Sequence, residues 1–327
     1  MKNVLGSRFR STICSATGAT EIEGFQEIQE LWSGYGSLLK VSLDSASESG
    51  SVVVKNVRFP DKASHPRGWQ GERSHARKAR SYEVEFEWYR NWSQQCSDRS
   101  RIPRFLAEDQ DGDEFLLVLE DLDAAGFPIR IQNASMKHVE LGLRWLAEFH
   151  ATFMGRKPKG LWPVGTYWHL ATRPDELKAL DDAKLREAAA KIDARLSGAK
   201  YQTFVHGDAK LANFCFSENE EEIAAVDFQY VGGGCGMKDV AYFVGSCLDE
   251  RTCEEREGEL LDCYFEFLRS ALERSSSMKA NEVISEWKDL YHFAWADFHR
   301  FLKGWCPGHW KINSYSERLV RHVIARL

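Results

Sequence analysis

No run of about 18 apolar residues occurs, so the chain offers no candidate membrane-spanning helix. The first 20 residues carry Lys2, Arg8 and Arg10 but no apolar stretch of the kind a signal peptide needs. There are eight cysteines and no Cys-x-x-Cys pair; without an export signal they read as reduced thiols, several in apolar runs where Cys serves as a small core residue. A cytoplasmic enzyme is therefore expected. An excess of basic charge is also missing. The formal net charge is −6, which argues against a general nucleic-acid binder. Neither an internal repeat nor a low-complexity linker interrupts the 327 residues. What is there, 43% apolar and 28% charged residues, is enough for one large domain or two lobes around an ample core.

The most informative stretch runs from residue 204 to 227. Residues 201–205 form a short apolar run that delivers His206-Gly207-Asp208 at its end. Two more short apolar runs, 214–217 and 223–226, flank the acidic, turn-like residues 218–222, a pattern that predicts a hairpin. Asn213 and Asp227 lie seven residues either side of residue 220, so they are expected opposite each other at the open end, beside Asp208. Two carboxylates, an amide oxygen and the ammonium of Lys210 then share one small volume. A partial shell of hard oxygen ligands suits Mg²⁺, which takes waters and phosphates as its remaining ligands. A carboxylate outside that shell can orient an attacking hydroxyl, as phosphoryl transfer requires.

His206-Gly207-Asp208-x-Lys210-x-x-Asn213, followed by Val226-Asp227-Phe228, resembles the catalytic loop and metal-binding Asp of the protein-kinase-like fold. His-Gly-Asp in place of His-Arg-Asp, and Asp227-Phe228-Gln229 in place of Asp-Phe-Gly, point to its small-molecule branch: aminoglycoside phosphotransferases, choline kinases and the ecdysteroid-kinase-like group. The resemblance implies a bilobal α+β fold, a small antiparallel β lobe over residues 1–121 and a larger, mainly helical lobe over 122–327.

Along the small lobe, residues 1–20 read as a loosely ordered lead-in and 25–32, 38–43 and 51–57 as strands. Lys55, in the third strand, is in the resemblance the lysine that holds the nucleotide α- and β-phosphates. Gly34 and Gly36 form a turn whose backbone N–H groups would cover the phosphates. After a loop over 58–71, residues 72–94 read as a long charged helix. The resemblance needs one glutamate there to pair with Lys55; Glu85 is chosen because Glu85-x-x-Trp88-Tyr89 is similar to the family's pattern, with Glu83 and Glu87 as alternatives. Residues 102–107 and 115–119 read as strands, and Glu120-Asp121-Leu122 resembles the hinge, where backbone groups of Glu120 and Leu122 would meet the adenine edge.

In the larger lobe, 135–155 is an amphipathic helix capped by Ser135, with His150 structural. Residues 174–196, 239–248, 252–275, 281–303 and 313–327 are also expected to be helical. Residues 229–238, with four glycines, read as a loop. Asp239 would cap its own helix and brace the catalytic loop, and His206 would brace that loop through its ring N–H. Trp287, Tyr291, Trp295, Phe298 and Leu302 share one helical face, which is more often core than a ligand wall. Only 11 residues separate Asp227 from Asp239, and no Ala-Pro-Glu follows, which leaves little room for a peptide platform. The resemblance thus implies ATP- and Mg²⁺-dependent phosphorylation of a small-molecule alcohol, with no nucleic-acid or membrane partner. Asp208 and Lys210 would be catalytic, Asn213 and Asp227 would hold the metal, and Lys55 with Glu85 the nucleotide. A nucleotide-binding protein that has lost catalysis is the alternative.

Overall fold

A computed structural model describes residues 5–31, 34–47, 50–59, 72–275 and 279–327. The chain begins with a helix, α1 (Ser7–Thr17), where the sequence predicts a loose lead-in. Phe9 and Ile13, one turn apart, are buried with Leu5 against a sheet face made by Leu39, Val41, Val52, Val54, Leu116 and Val118. On its other side Arg8 Nη2 and Thr12 Oγ1 grip the Asp109 carboxylate at 2.6 and 2.7 Å. Three apolar residues are too few to show a helical period; the sheet, not propensity, holds this helix.

The sheet is β1 (Ile22–Glu30), β2 (Gly36–Leu43), β3 (Ser51–Arg58), then, after helix α2 (Glu72–Asn91), β4 (Phe105–Asp111) and β5 (Glu114–Glu120). It is antiparallel throughout, in the order β1-β2-β3-β5-β4. Alternation along β3 decides what each residue faces. Val52 and Val54 meet α1, whereas Lys55 and Val57 point the other way, toward α2. The loop expected over 58–71 lies outside the described residues from 60 onward, as do residue 32, at the end of the first expected strand, and residue 33, at the start of the glycine turn.

The helical lobe starts with α3 (Met136–Thr152). Ser135 caps it in a reciprocal box: Ser135 Oγ accepts from the His138 N–H while His138 Nδ1 accepts from the Ser135 N–H at 3.0 Å. The single helix expected over 174–196 is two, α4 (Pro174–Ala179) and α5 (Ala183–Ser197). The break falls where Asp182 turns its carboxylate onto the Leu185 N–H at 3.1 Å, a position that favours Asp far more than a helix interior does. Short strands β6 (Thr203–Val205), β7 (Phe214–Phe216), β8 (Ile223–Ala225) and β9 (Gly232–Gly234) follow, then α6 (Met237–Cys247), α7 (Glu250–Ser275), α8 (Ala280–Trp305) and α9 (Ser314–Ala325).

Strand β9, paired with β6, corrects the loop expected there. Three glycines are poor strand formers, but here the 162–165 segment lies directly on them. A Cβ at Gly232 would stand 2.3 Å from the Trp162 carbonyl oxygen and one at Gly233 2.7 Å from that of Pro163. Helix α8 is buried around most of its girth. Trp287, Tyr291 and Trp295 enter the main core, while Phe298 and Leu302 join a separate cluster with Trp168, Tyr242 and Phe301. Off that stripe, Asp297 and Arg300 are fully buried and paired at 2.9 Å, with Lys238 Nζ 3.5 Å from Asp297. Among the described residues no helix is long and apolar enough to cross a membrane.

Candidate active site

Strand β6 leads straight into the catalytic loop. Gly207 has φ +81°, and a Cβ there would sit 2.2 Å from the Tyr230 carbonyl oxygen, so the residue between His206 and Asp208 has no space for a side chain. Asp239 of α6 accepts from the backbone N–H groups of His206 and Gly207 at 2.5 and 3.0 Å, and stands 3.2 Å from His150 Nε2. It braces the loop as expected but does not cap its own helix, whose N-cap residue, Gly236, offers no side chain. His206 Nδ1 accepts from the Asp208 N–H at 3.3 Å, so Nε2 carries the ring proton and donates to the Val226 carbonyl at 3.0 Å. One ring thereby ties the loop to the end of β8.

The β7–β8 hairpin is one residue out of the expected register. Phe214 pairs with Ala225, and the Val226 N–H meets the Asn213 carbonyl at 3.0 Å, so Asn213 faces Val226 rather than Asp227. The reason is the turn. It closes between Ser217 and Glu222, leaving an even number of residues in the loop, with Glu220 at φ +54°. Asp227 is the next residue along and takes φ +69°, a conformation a non-glycine residue enters only under tertiary constraint. Phe228 supplies that constraint: it is fully buried, stacked on Trp88 of α2 at 4.7 Å between centroids, and also against Trp145, Phe149 and His206.

Asp208 is buried and crowded with donors. Lys210 Nζ reaches its Oδ2 at 3.0 Å, the Asn213 amide donates to the same oxygen at 3.2 Å, and the Tyr242 hydroxyl donates to Oδ1 at 3.1 Å. Burial pushes its carboxyl above the ordinary range, Lys210 pulls it back, and the charge of Asp227 adds to the rise. Asp227 moves the other way. Burial opposes its charge, but Lys55, Lys78 and Lys210 together outweigh it and hold the carboxyl below the usual value.

Lys55 and Glu85 are both buried, with Nζ and Oε2 2.5 Å apart, and Asp227 Oδ1 lies 4.0 Å from the same ammonium. The other two candidate glutamates are engaged elsewhere: Glu83 pairs with Arg80 at 3.0 Å and Glu87 accepts from Asn91 at 2.9 Å. Lys78, Tyr82, Glu85 and Tyr89 follow at steps of four, three and four, one face of α2 turned to the site. Lys78 Nζ donates to Gln229 Oε1 at 2.8 Å and lies over the Tyr82 ring at 4.7 Å. Burial brings its pKa down to about 8. Lys78 and Tyr242 are not among the residues the sequence points to, and Gln229 enters there only as a family mark, not as a site residue. Lys78 carried a usable signal, since it falls seven residues before Glu85 on the same helical face.

Two expected contacts look different in place. The Gly34 N–H donates to the Leu31 carbonyl at 3.2 Å, so that group of the glycine turn is already engaged. At the hinge, the Glu120 N–H is taken by the Arg104 carbonyl and the Leu122 carbonyl by the Phe127 N–H. The Glu120 carboxylate is held by Arg101 and Arg104 at 2.5 and 3.0 Å. The Leu122 N–H meets no acceptor among the described residues, which leaves it free for a ligand edge.

The residues present fit a divalent cation. Asp227 Oδ1 is enclosed yet accepts no hydrogen bond. The Asn213 amide nitrogen is spent on the Asp208 carbonyl and carboxylate, which leaves its oxygen as the free end. Among the described residues no group of three or more His, Cys, Asp or Glu side chains could hold a metal unaided. The donor set is thus a partial one, of the kind Mg²⁺ completes with water and phosphate oxygens.

This arrangement sits on a fold shared with solved small-molecule kinases. An amicoumacin kinase in complex with AMP-PNP, Ca²⁺ and Ami superposes with a TM-score of 0.54 at 12% identity, covering 99% of this chain and 94% of the other. Choline kinase from Cryptosporidium parvum Iowa II gives 0.52 at 12%, covering 98% and 95%. An aminoglycoside phosphotransferase from Streptomyces rimosus in complex with ADP and streptomycin gives 0.51 at 14%, covering 89% and 99%. No curated protein matches closely enough in sequence to add a relative. Fold and constellation together define the protein-kinase-like fold. Within it the chain belongs to the ecdysteroid kinase-like family, whose profile matches residues 38–159 and 167–277.

Proposed function

We propose that the protein transfers the γ-phosphoryl group of ATP to a hydroxyl of a small molecule. The observation that carries this reading is the convergence, in one site, of a donor-crowded Asp208, an Asp227 oxygen without a hydrogen bond, and a buried Lys55–Glu85 pair. In this reading residues 1–121 are the nucleotide lobe and 122–327 the catalytic and acceptor lobe.

Lys55, held by Glu85, takes the α- and β-phosphates, and the free Leu122 N–H meets the adenine edge. Asp227 and Asn213 would hold Mg²⁺, which when bound neutralises charge on the phosphates. Asp208 orients the acceptor hydroxyl and takes its proton as the oxygen attacks the γ-phosphorus. The bond from that phosphorus to the β–γ bridging oxygen breaks, and the pair of electrons leaves with ADP. Lys210 offsets charge on the transferring group. The family and its structural neighbours support a small-molecule phosphotransferase; nothing in the site favours the alternative of an inactive nucleotide-binding protein.

Phosphate transfer from labelled ATP to a panel of alcohols is the test. Asp208→Asn is expected to abolish transfer while leaving Mg-ATP affinity, read by calorimetry, within about a few-fold. Loss of ATP binding along with activity would reassign Asp208 to the metal or to the fold.

A further inference from the structure

Beside Asp208 stands a lysine for which the chemistry above has no use. Lys311 lies in the turn between α8 and α9. Its ammonium is set over the ring of Tyr242 at 5.0 Å, of Trp310 at 5.5 Å and of Phe298 at 5.6 Å. Three ring faces around one ammonium form the kind of cage that binds choline-like cations. Here a side chain of the protein itself fills it. Tyr242 links the cage to the chemistry: its ring lies under Lys311 and its hydroxyl donates to Asp208 Oδ1 at 3.1 Å. The charged and titratable neighbours that act on Lys311 are Asp208, Lys210, Cys247 and Cys253. Asp208 is already engaged by Lys210, Asn213 and Tyr242.

Among the described residues, Lys311 Nζ makes no ion pair and donates no hydrogen bond. Burial brings its pKa down to about 8, the mark of a cation without a counter-charge. Lys55, Lys210 and Lys238 each have a carboxylate within 4.0 Å; Lys78, like Lys311, has none among the described residues, but it donates to Gln229 Oε1 at 2.8 Å, whereas Lys311 meets only ring faces. Trp310, next in the chain, is 60% exposed and forms the outer edge of the same wall.

We propose that this wall selects an alcohol that also bears an anionic group, a carboxylate, sulfate or phosphate ester, which pairs with Lys311 while the hydroxyl meets Asp208. The proposal rests on the phosphotransferase reading and narrows its acceptor. A cationic acceptor would have to expel Lys311 from the cage and then lie beside Lys210 as well. An anionic one supplies the missing partner and leaves the ring faces to cover its apolar body. Carboxylate, sulfate and phosphate share the recognising chemistry, so the matched probes below use the carboxylate.

The experiment compares alcohols matched in body and differing in one charge: glucose, glucuronate and glucosamine, and a hydroxysteroid with its carboxylate and amine counterparts. Each is offered to the wild-type protein with Mg-ATP, and binding of each is measured by calorimetry on protein loaded with Mg-AMP-PNP. The carboxylate of at least one series is expected to exceed its neutral counterpart about tenfold or more in kcat/KM, or in affinity where no member is turned over. Lys311→Met should erase that preference, and Lys311→Glu should reverse it toward the amine, both with Mg-AMP-PNP affinity kept. A wild-type preference for the neutral or cationic member, or a carboxylate preference that survives Lys311→Met, overturns the proposal. Loss of the nucleotide reading is a separate result: it would show as no binding of Mg-AMP-PNP by the wild-type protein.

Discussion

On the α2 side of the site, Lys55 reaches Glu85 and Lys78 reaches Gln229; on the α9 side, Lys311 reaches only ring faces. The two sides differ in what they leave undone. In the proposed reading the α2 side is the nucleotide side, and its cations are already held by partners within the chain. On the proposed acceptor side the partly buried Lys311 makes no ion pair among the described residues, which leaves a place for an opposite charge on a ligand. If the proposal holds, the phosphate-handling side is settled within the chain and the choice of acceptor is left to an external group.

The largest effect should come from the proposed metal ligand. Asp227→Ala removes the enclosed oxygen that has no hydrogen bond, and is expected to cost on the order of 10³-fold or more in kcat/KM for ATP. Near-normal turnover would remove the metal from that side. Lys55→Met is next. It deletes the charge but keeps the length, so KM for ATP should rise and kcat fall together, by roughly 10²-fold in the ratio, with Glu85→Gln milder. If acceptor KM alone moved, the division between the sides would fail.

Tyr242→Phe sharpens the comparison, because it removes the hydroxyl on Asp208 while keeping the ring beneath Lys311. A fall in kcat of roughly tenfold or less, with the ranking of charged and neutral acceptors unchanged, is expected from steady-state kinetics. A changed ranking would mean that the hydroxyl, and not the cage, reads the acceptor. The smallest effect is a pH dependence. Burial lowers the pKa of Lys78 to about 8, so it is charged below that value and neutral above it. Mg-ATP affinity should therefore weaken a few-fold as pH rises from about 7 to about 9, with protons taken up on binding, and Lys78→Met should flatten the profile. Calorimetry in buffers of different ionisation enthalpy reads both.

How much of this was legible beforehand follows the same division. His206-Gly207-Asp208, Lys210, Asn213 and Asp227 are close in sequence, so their spacing alone brings them together; only the hairpin register escaped, by one residue, because it depends on how the turn closes. Lys55 and Glu85 are 30 residues apart, yet strand alternation and helical period each aim one of them at the same space. Lys311 and Tyr242 had no such signal. A lysine in a turn and a tyrosine within an apolar helix carry no period that points to a partner, and their meeting is fixed by how α6, α8 and α9 pack. Strand β9 was hidden for a related reason: its glycines are selected by the backbone lying over them, not by strand propensity. Helix α1 went unseen because its three apolar anchors are too sparse to register.

That first helix has a practical consequence for producing the protein. The matched family region begins at residue 38 and ends at 277. A fragment cut to those limits would lose α1 and β1 from one end and α8 and α9 from the other. The sheet face of Val41, Val52, Val54, Leu116 and Val118 would then be open to water, beside a bare β2 edge. Such a strip recruits other chains rather than solvent. At the other end Lys238 would lose Asp297, its buried counter-charge. Insolubility of that fragment would say nothing about the proposed activity; it would report only that the boundary of resemblance is not the boundary of folding.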